Sequence, residues 1–562
     1  MNHLVQALLV AILSGTLVAG AGWAFVQNGT SGILALEAII VSPTLALFFD
    51  FSGTGGPLQI NNHSAWGALW NLETNEPTAL NVVSDTFCAS GGFLSNGSMV
   101  SVGGQMAGAI AVDGRMGVRI FEPCSSPDGA GCTLFDNPDV VHLAETRWYP
   151  SSLRIFDGSL MIAGGIHEQT VFYNTDPVNS FEFFPSKDKG VPRPSAFLER
   201  SLVANLFPRQ VHFTHKVLAL PDGKIFMVAN NQTIIYDIET DTEFILPDLP
   251  NGVRVTNPFD GTITLLPLSP PLYVPEVLVC GGTDTSDQIP ASNLSSQDPA
   301  SDQCSRITVT PAGIQKGWEV EHMLERRIMP EMILLPNGQV LIINGGQTGY
   351  AAIAAVGVLQ GNSDADNPAL TPSLYDPSAP LGKRISNEGL PTSDIPRMYH
   401  STATLTPSGN ILLAGSNPNP SLNETVKFST EFRVQYLNPP YMSQQRPALS
   451  GVPSKIAFDS TFTVGVTLPE HVLGVLPVVK VALMDLGFST HAFHSSARLV
   501  WLEATLVLDH KTLEIKSPPN NRVYPPGPGY IFLTVGDMTS VGAHVMVGSG
   551  ASPPVPDQGR KI

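Results

Sequence analysis

Short runs of alternating apolar and polar residues, separated by turn residues, fill almost the whole chain. The runs are rich in β-branched side chains, and 51 Gly and 48 Pro residues punctuate them throughout. Such runs are typical of half-buried β-strands, because successive side chains of a strand point to opposite faces of its sheet. Long amphipathic helical patterns are lacking. The pattern predicts an all-β protein.

One short unit recurs: a turn with Asn-Gly, Asp-Gly or Ser-Gly, a few apolar residues, and a Gly doublet or its remnant. Copies occupy residues 94–104, 155–165, 220–230, 335–346 and 405–415, and a degenerate copy ends at 277–282. The turn glycines are roughly 60 or roughly 115 residues apart, as expected if each copy marks one blade and one blade lacks the signature. The repeat predicts a kelch-type, seven-bladed β-propeller over residues 22–434. Unrelated β-hairpins are the alternative.

A different β pattern follows the last copy of the unit. Residues 435–552 contain alternating runs without Gly doublets, such as 462–466 and 480–484. These runs predict a separate, immunoglobulin-like β-sandwich. Residues 553–562 are predicted to form a loose tail.

The N-terminus has the layout of a secretory signal peptide, predicted over residues 1–21: an apolar stretch and then small residues at 20–22. A signal anchor is the alternative, but the stretch is shorter than the roughly 20 residues that span a bilayer. Six glycosylation sequons fit an extracellular route. They begin at Asn28, Asn62, Asn96, Asn231, Asn293 and Asn423. We therefore expect an extracellular protein without a membrane span.

The charge balance excludes some partners. The formal net charge is -18, and only 14% of residues are charged. Such a surface repels nucleic acid and anionic lipid, so neither is expected as a partner. A neutral or cationic small substrate is compatible with this charge.

The chain has five cysteines, which is an odd number. Local spacing favours the pairs Cys124 with Cys132 and Cys280 with Cys304, although five cysteines allow other connectivities. Cys88 is then left alone. In an oxidising compartment, an unpaired thiol is buried and inert, bonded to another molecule, or used in other covalent chemistry.

Three short strings contain residue types that carry chemistry: residues 147–152 (RWYPSS), 397–401 (RMYHS) and 487–494 (GFSTHAFH). Tyr149 and Tyr399 precede the turn glycines of their blades by similar distances, which predicts equivalent places near the propeller channel. With His400 and His491 they form a set of two phenol oxygens and two imidazoles, which suits Cu(II) better than zinc or calcium. A packed Tyr beside a hydrogen-bonded His is the ordinary alternative. His494 points to the other strand face from His491 and is interpreted as structural or as a support for the metal ligands.

These strings, together with the one around Cys88, resemble the copper radical oxidases in both order and neighbours. The resemblance covers nearly the whole chain; it is greatest to glyoxal oxidase, with galactose oxidase more distant. It implies a Cys88–Tyr149 thioether whose Tyr149 binds copper and bears the radical. His400 and His491 would be the imidazole ligands, His491 from the sandwich. Tyr399 would be the axial ligand and the base.

The resemblance also implies the reaction and the substrate class. His167 would cover the thioether where galactose oxidase has a tryptophan, a feature similar to glyoxal oxidases; a loop histidine without a role is the alternative. The expected substrates are small aldehydes such as glyoxal and methylglyoxal, oxidised to carboxylic acids while O2 becomes H2O2. Extracellular peroxidases are expected as users of H2O2 or as activators, and a monomer is expected. Alternatives are a galactose oxidase-like primary-alcohol oxidase and a non-catalytic kelch module that binds glycan or protein.

Overall fold

The computed structural model describes residues 22–53, 55–106, 108, 110–168, 176–203, 216–470 and 478–554. The predicted signal peptide and most of the predicted tail lie outside these residues. The part of the chain so described contains two short α-helices, Ala196–Val203 and Pro311–Lys316. The 3-10 helices are Asp188–Gly190, Pro250–Gly252, Ala291–Asn293 and Pro440–Ser443. The other regular elements are strands, which confirms the all-β prediction.

Five four-stranded antiparallel sheets are built from strands that follow one another closely along the chain. The first consists of Ser90–Phe93, Met99–Val102, Val118–Glu122 and Thr133–Asp136. The second consists of Ser151–Arg154, Leu160–Ala163, Ser180–Phe184 and Arg193–Pro194. The third consists of Lys216–Ala219, Ile225–Ala229, Gln232–Asp237 and Thr242–Ile245. The fourth consists of Gly261–Leu265, Glu276–Gly281, Gln303–Thr308 and Glu319–His322. The fifth consists of Glu331–Leu334, Val340–Ile343, Ser373–Tyr375 and Ile385–Ser386.

A sixth four-stranded sheet joins the two ends of this domain. Its strands, in order across the sheet, are Ala24–Thr30, Arg433–Asn438, Ile411–Gly415 and Ser401–Leu405. The first strand of the domain therefore completes the last sheet, with Ala24 opposite Asn438. The sequence-predicted domain boundary after residue 434 falls inside strand Arg433–Asn438.

A six-stranded sheet combines strands from both domains. Four come from the N-terminal part: Glu37–Ser42, Leu45–Phe49, Gly67–Asn71 and Pro77–Ala79. The other two, Phe488–Thr490 and Phe493–Ser495, belong to a hairpin of the C-terminal domain, which we call the axial hairpin (residues 488–495). The number of blades depends on how this shared sheet is assigned, so seven stays a prediction.

The innermost strands of neighbouring sheets contact one another in turn, and strand Phe488–Thr490 of the axial hairpin closes the ring between Glu37–Ser42 and Ser90–Phe93. The second strand of the axial hairpin, Phe493–Ser495, contacts the innermost strands of five sheets and so lies within this ring. A ring of antiparallel sheets around an axis is the propeller arrangement, and the propeller-type prediction is confirmed. The C-terminal domain thus reaches into the axis of the propeller.

The five sequence units each form the hairpin between the first and second strands of a sheet. Their turn glycines have φ between +86° and +95°, a left-handed conformation that glycine adopts without a Cβ penalty. They are Gly97, Gly158, Gly223, Gly338 and Gly409. The sheet that contains Glu37–Ser42 lacks this unit, and it is the sheet that the axial hairpin joins.

The C-terminal domain has two further sheets, as predicted for a sandwich. One consists of Ala448–Ser450, Thr461–Thr467, Thr512–Lys516 and Ala504–Leu506. The other consists of Lys455–Ile456, Ala543–Val547, Gly527–Val535, Val479–Asp485 and Arg498–Leu502, with Met538–Thr539 beside Gly527–Val535. Two-stranded pairs are Gln59–Ile60 with His63–Ser64, and Gly346–Ile353 with Ser363–Pro368.

Both predicted disulfides are formed, Cys124–Cys132 and Cys280–Cys304. The second joins directly opposite residues of two neighbouring strands. Cys88 is free and buried, as expected from the odd count. Among the described residues, no helix has the length and apolar character needed to cross a membrane.

Candidate metal centre

Tyr149 and Tyr399 occupy equivalent places in two sheets, as their spacing predicts. Each lies two residues before an innermost strand, Ser151–Arg154 or Ser401–Leu405. Both side chains are buried, and their phenol oxygens are in direct hydrogen-bond contact with each other. Two distant parts of the chain therefore present their phenols to one point.

A buried arginine two residues before each tyrosine explains this placement. The Arg147 guanidinium donates to the Gly164 carbonyl at 2.8 Å, and Arg397 donates to the Gly415 carbonyl at 2.7 Å. Both carbonyls belong to the glycines that close the repeated unit. The arginine thus ties the Arg-x-Tyr string to the end of the following hairpin, and the tyrosine is held at the rim of the ring.

A third copy of this arrangement was not predicted from the sequence. Arg327 donates to the Asn344 carbonyl at 2.8 Å, and the residue two places later is Met329. Met329 has φ +57°, close to the +59° of Tyr149. Methionine at the equivalent place offers no phenol, so this copy supplies local structure and no ligand oxygen. The string RRIMP at 326–330 was the available signal.

His400 and His491 each have one ring nitrogen engaged and the other free. His400 Nδ1 donates to the Asn417 carbonyl at 3.0 Å, and His491 Nδ1 lies 2.6 Å from Thr490 Oγ1. The Nε2 atoms of both rings are buried and have no hydrogen-bond partner among the described residues. A buried polar atom without a partner is costly, and an anchored Nδ1 beside a free Nε2 is the usual state of a metal-ligating histidine.

The structure brings the five predicted central residues together from four segments of the chain. The His400 and His491 ring centroids are 5.4 Å apart, and those of Tyr149 and His491 are 4.8 Å apart. The ligand atoms of Cys88, His400 and His491 all lie within 4.8 Å of one another. Two free imidazole nitrogens beside two phenol oxygens fit a transition metal that takes nitrogen and oxygen ligands.

Burial sets the protonation of these groups. Removal from water lowers the pKa of His400 to about 3 and lowers the pKa of His491 well below its usual value. Burial also raises the pKa of Tyr149 and of Tyr399 well above the usual value. The imidazoles are therefore neutral and can donate a lone pair. The phenols keep their protons until a bound cation reverses that preference.

Cys88 lies against Tyr149. Cys88 is 1% exposed, and it belongs to the same buried cluster as Tyr149. Phe87 and Trp148 complete the apolar cluster around them. Burial of this kind excludes a disulfide to another molecule. Inert burial and covalent chemistry with Tyr149 remain as explanations of the odd thiol.

The structure places His167 farther out. Its side chain is 35% exposed, and its Nδ1 lies 3.2 Å from Asp176 Oδ1. Trp148 contacts the Tyr149 ring edge to face, with centroids 4.6 Å apart. The role of His167 over the thioether stays a prediction. The importance of Trp148 was missed, although it stands directly before Tyr149 in the sequence.

The axial hairpin is anchored by Glu331, a buried carboxylate at the start of Glu331–Leu334. Glu331 Oε2 is 2.9 Å from His494 Nε2 and accepts the Ser489 hydroxyl at 2.8 Å. The same oxygen accepts the Ala403 amide at 2.9 Å. These contacts join two propeller sheets to the C-terminal domain and give His494 a structural role, as predicted.

Replacing Glu331 with alanine is expected to lower the free energy of unfolding by about 3 kcal/mol or more, because each buried donor left without a partner costs about 1–3 kcal/mol. Glu331→Gln keeps the volume and one acceptor oxygen, so its loss should be smaller. Denaturant unfolding of the metal-free protein measures both. Equal stability of Glu331→Ala and the wild type would contradict the anchoring role.

A propeller-type fold whose axis holds a buried set of phenols and imidazoles defines a β-propeller protein with a candidate metal centre. The family described as glyoxal oxidase N-terminus matches residues 58–441, and the galactose oxidase-like Early set domain matches residues 446–547. The chain therefore belongs to the glyoxal oxidase family, which confirms the resemblance drawn from its sequence. As a member of this family it is an oxidoreductase, as predicted.

Individual relatives agree with this assignment. The chain is 33% identical to Aldehyde oxidase GLOX of Vitis pseudoreticulata over 82% of either chain. It is 29% identical to Aldehyde oxidase GLOX1 of Arabidopsis thaliana over 86% of this chain and 75% of that one. Among solved structures, a fungal alcohol oxidase of the AA5 family in complex with copper superposes with a TM-score of 0.69. That similarity covers 94% of this chain and 100% of the other at 16% identity, and it supports the fold.

Proposed function

We propose that this protein is a copper radical oxidase that oxidises small aldehydes, such as glyoxal and methylglyoxal, to carboxylic acids and reduces O2 to H2O2. The observation that carries the proposal is the convergence of two partnerless, buried Nε2 atoms with two phenol oxygens beside a free, buried thiol. The relatives named aldehyde oxidases support the substrate class. The copper in the structurally similar alcohol oxidase supports the metal.

Four residues would hold the copper ion: Tyr149, Tyr399, His400 and His491. Bound copper would supply one electron of redox capacity and a positive charge that favours phenolates. Oxidation of an aldehyde hydrate removes two electrons, so the chain must store the second. Tyr149 joined to Cys88 through a thioether is suited to this, because the sulfur donates electron density to the ring and delocalises an unpaired electron.

Tyr399 would receive the proton that the substrate releases. Its oxygen contacts the Tyr149 oxygen, and its ring stacks on His400 with centroids 3.8 Å apart. Burial raises the pKa of Tyr399 most, and the neighbouring Asn257 side chain acts in the opposite direction and favours the ionised form. A fixed acceptor next to the metal position is what general base catalysis requires.

Aromatic side chains would keep water from the reactive ring. Phe87 lies edge to face with His400, with centroids 5.4 Å apart, and Trp148 covers Tyr149. Phe51 packs on Phe87 at a centroid distance of 4.8 Å. A dry, low-dielectric surrounding protects a radical from side reactions and strengthens the electrostatic effect of the bound ion.

We further propose that the protein acts outside the cell, as a monomer. Two formed disulfides and a signal-like N-terminus support an oxidising compartment. The six sequon asparagines are exposed or partly exposed, so glycans are sterically compatible. Extracellular peroxidases would use the H2O2 or activate the enzyme.

A peroxide assay on copper-loaded, oxidised protein distinguishes the candidate activities. We expect turnover of methylglyoxal and glyoxal and little turnover of galactose, because the curated relatives are aldehyde oxidases. Turnover of galactose alone would favour the primary-alcohol oxidase. Failure to bind copper would favour the non-catalytic kelch module.

A further inference from the structure

A buried ion pair lies directly behind the axial hairpin, and the reaction described above gives it no part. Lys216 begins the innermost strand Lys216–Ala219, and its side chain and that of Asp260 are 0% exposed. Lys216 Nζ lies 3.2 Å from Asp260 Oδ1. It also donates to the His491 carbonyl at 3.0 Å and to the Ala492 carbonyl at 3.5 Å.

These two carbonyls belong to the tip that presents the His491 ring. His491 and Ala492 have φ of +47° and +58°, a left-handed conformation that residues with a Cβ adopt at a cost. Such a conformation persists only where the surroundings hold it. The Lys216 ammonium supplies that hold, because it binds the carbonyls of both residues.

Asp260, the acidic partner of Lys216, makes contacts on the Tyr399 side of the candidate metal centre. Asn257 Nδ2 lies 3.5 Å from Asp260 Oδ2, and the Asn257 side chain neighbours Tyr399, where its interaction with the phenol lowers the pKa that burial raises. Asn257 is itself fixed, since it donates to the Ala351 carbonyl at 3.0 Å. The Asp260 backbone carbonyl accepts the Met329 amide at 2.7 Å. A continuous set of contacts therefore runs from His491 through Lys216, Asp260 and Asn257 to Tyr399.

Stability alone does not account for such a pair. Removing two charges from water costs more than their attraction commonly returns, and well-packed apolar residues often replace a buried ion pair without loss. An apolar side chain could fill the space of Lys216, but it could not bind the carbonyls of the hairpin tip. The charged groups of the pair therefore interact with residues that position the metal ligands.

We propose that Lys216 and Asp260 are positioning residues of the metal centre, which the proposed function assigns to copper. Lys216 fixes the hairpin tip so that His491 Nε2 faces the metal. Asp260, through Asn257, fixes the oxygen of Tyr399. One ion pair thereby positions both the ligand that comes from the C-terminal domain and the proposed base that comes from the propeller.

The test compares full-length Lys216→Met with the double variant Lys216→Met/Asp260→Leu, which leaves no unpaired buried charge. A matched control is Arg384→Met/Glu321→Leu. This pair is largely buried, with 3.1 Å between its charged groups, and Glu321 lies in the outermost strand of its sheet.

Copper affinity is measured by chelator competition, copper geometry by electron paramagnetic resonance, and stability by thermal unfolding of the metal-free protein. Asp260→Asn, which keeps the volume, serves where a larger change prevents folding.

Lys216→Met is expected to bind copper about 10–100-fold more weakly, because this is the usual effect of losing a group that orients a metal ligand. Its electron paramagnetic resonance spectrum should also change. The double variant should regain thermal stability but not affinity or spectrum. The control should keep both copper properties. If the double variant regained the wild-type copper affinity and spectrum together with its stability, the positioning role would be overturned and the proposed function would stand. Failure of the wild type to bind copper would overturn the proposed function as well.

Discussion

Replacing Tyr149 with phenylalanine is expected to reduce peroxide production from methylglyoxal to the rate of copper in buffer. The change removes one hydroxyl group from a fully buried ring, so the apolar packing against Trp148 is kept. It also removes a proposed metal ligand and the phenol that would store the second electron. Two-electron oxidation then lacks the ring that is proposed to store the second electron.

A matched control separates this effect from a general loss of a buried hydroxyl. Tyr375 is 0% exposed, and its hydroxyl accepts from Arg306 at 3.3 Å in another part of the propeller. Tyr375→Phe should keep activity. Activity of Tyr149→Phe close to that of Tyr375→Phe, in protein of equal copper content, would contradict the role of Tyr149.

Replacing Tyr399 with phenylalanine is expected to lower kcat by about 10²–10⁴-fold, the range that a general base contributes. Copper should remain bound, though more weakly, because Tyr149, His400 and His491 still offer three ligands. The thioether with Cys88 should still form, since neither of its partners is changed. Steady-state kinetics with methylglyoxal, copper analysis and alkylation of Cys88 measure the three properties separately.

The combination of results decides what Tyr399 does. Unchanged kcat in copper-loaded Tyr399→Phe would contradict its role as base. A loss of activity that follows only the loss of copper, and that excess copper restores, would reduce Tyr399 to a ligand. Low kcat in protein with full copper content and an intact thioether is the result that supports proton transfer.

The parts of the fold that depend on local sequence were predictable. The turn glycines Gly97, Gly158 and Gly338 are close in sequence to the strands they join, so the repeated unit marks each hairpin directly. Tyr149 and Tyr399 could be equated because each has a similar distance to such a glycine. The local spacing of the cysteines predicted both disulfides correctly.

The contacts between distant segments were not predictable in this way. Glu37–Ser42 pairs with Phe488–Thr490 from the far end of the chain, and no local pattern encodes that register. The exposure of His167 and the placement of Lys216 behind His491 depend on the same long-range packing. A buried Lys among apolar residues is also indistinguishable, in sequence, from an exposed one at a strand end.

The position of the domain boundary shows the same limit. The change of pattern after the last copy of the repeated unit was visible, yet strand Arg433–Asn438 still belongs to the propeller because it pairs with Ala24–Thr30. Strand pairing of the two chain ends decides where the domain closes. Alternation of side chains along one strand carries no information about its partner.

The most direct test of the proposed Cys88–Tyr149 cofactor is peptide mass spectrometry of the wild-type protein after loading with copper in air. We expect the Cys88 and Tyr149 peptides to become joined through a new S–C bond, with the loss of two protons and two electrons that reduce O2 to H2O2, and we expect reductant not to separate them. Cys88 should no longer react with an alkylating reagent, while the metal-free protein should react after unfolding. Recovery of Cys88 as an ordinary alkylatable thiol after copper loading would contradict the proposed cofactor.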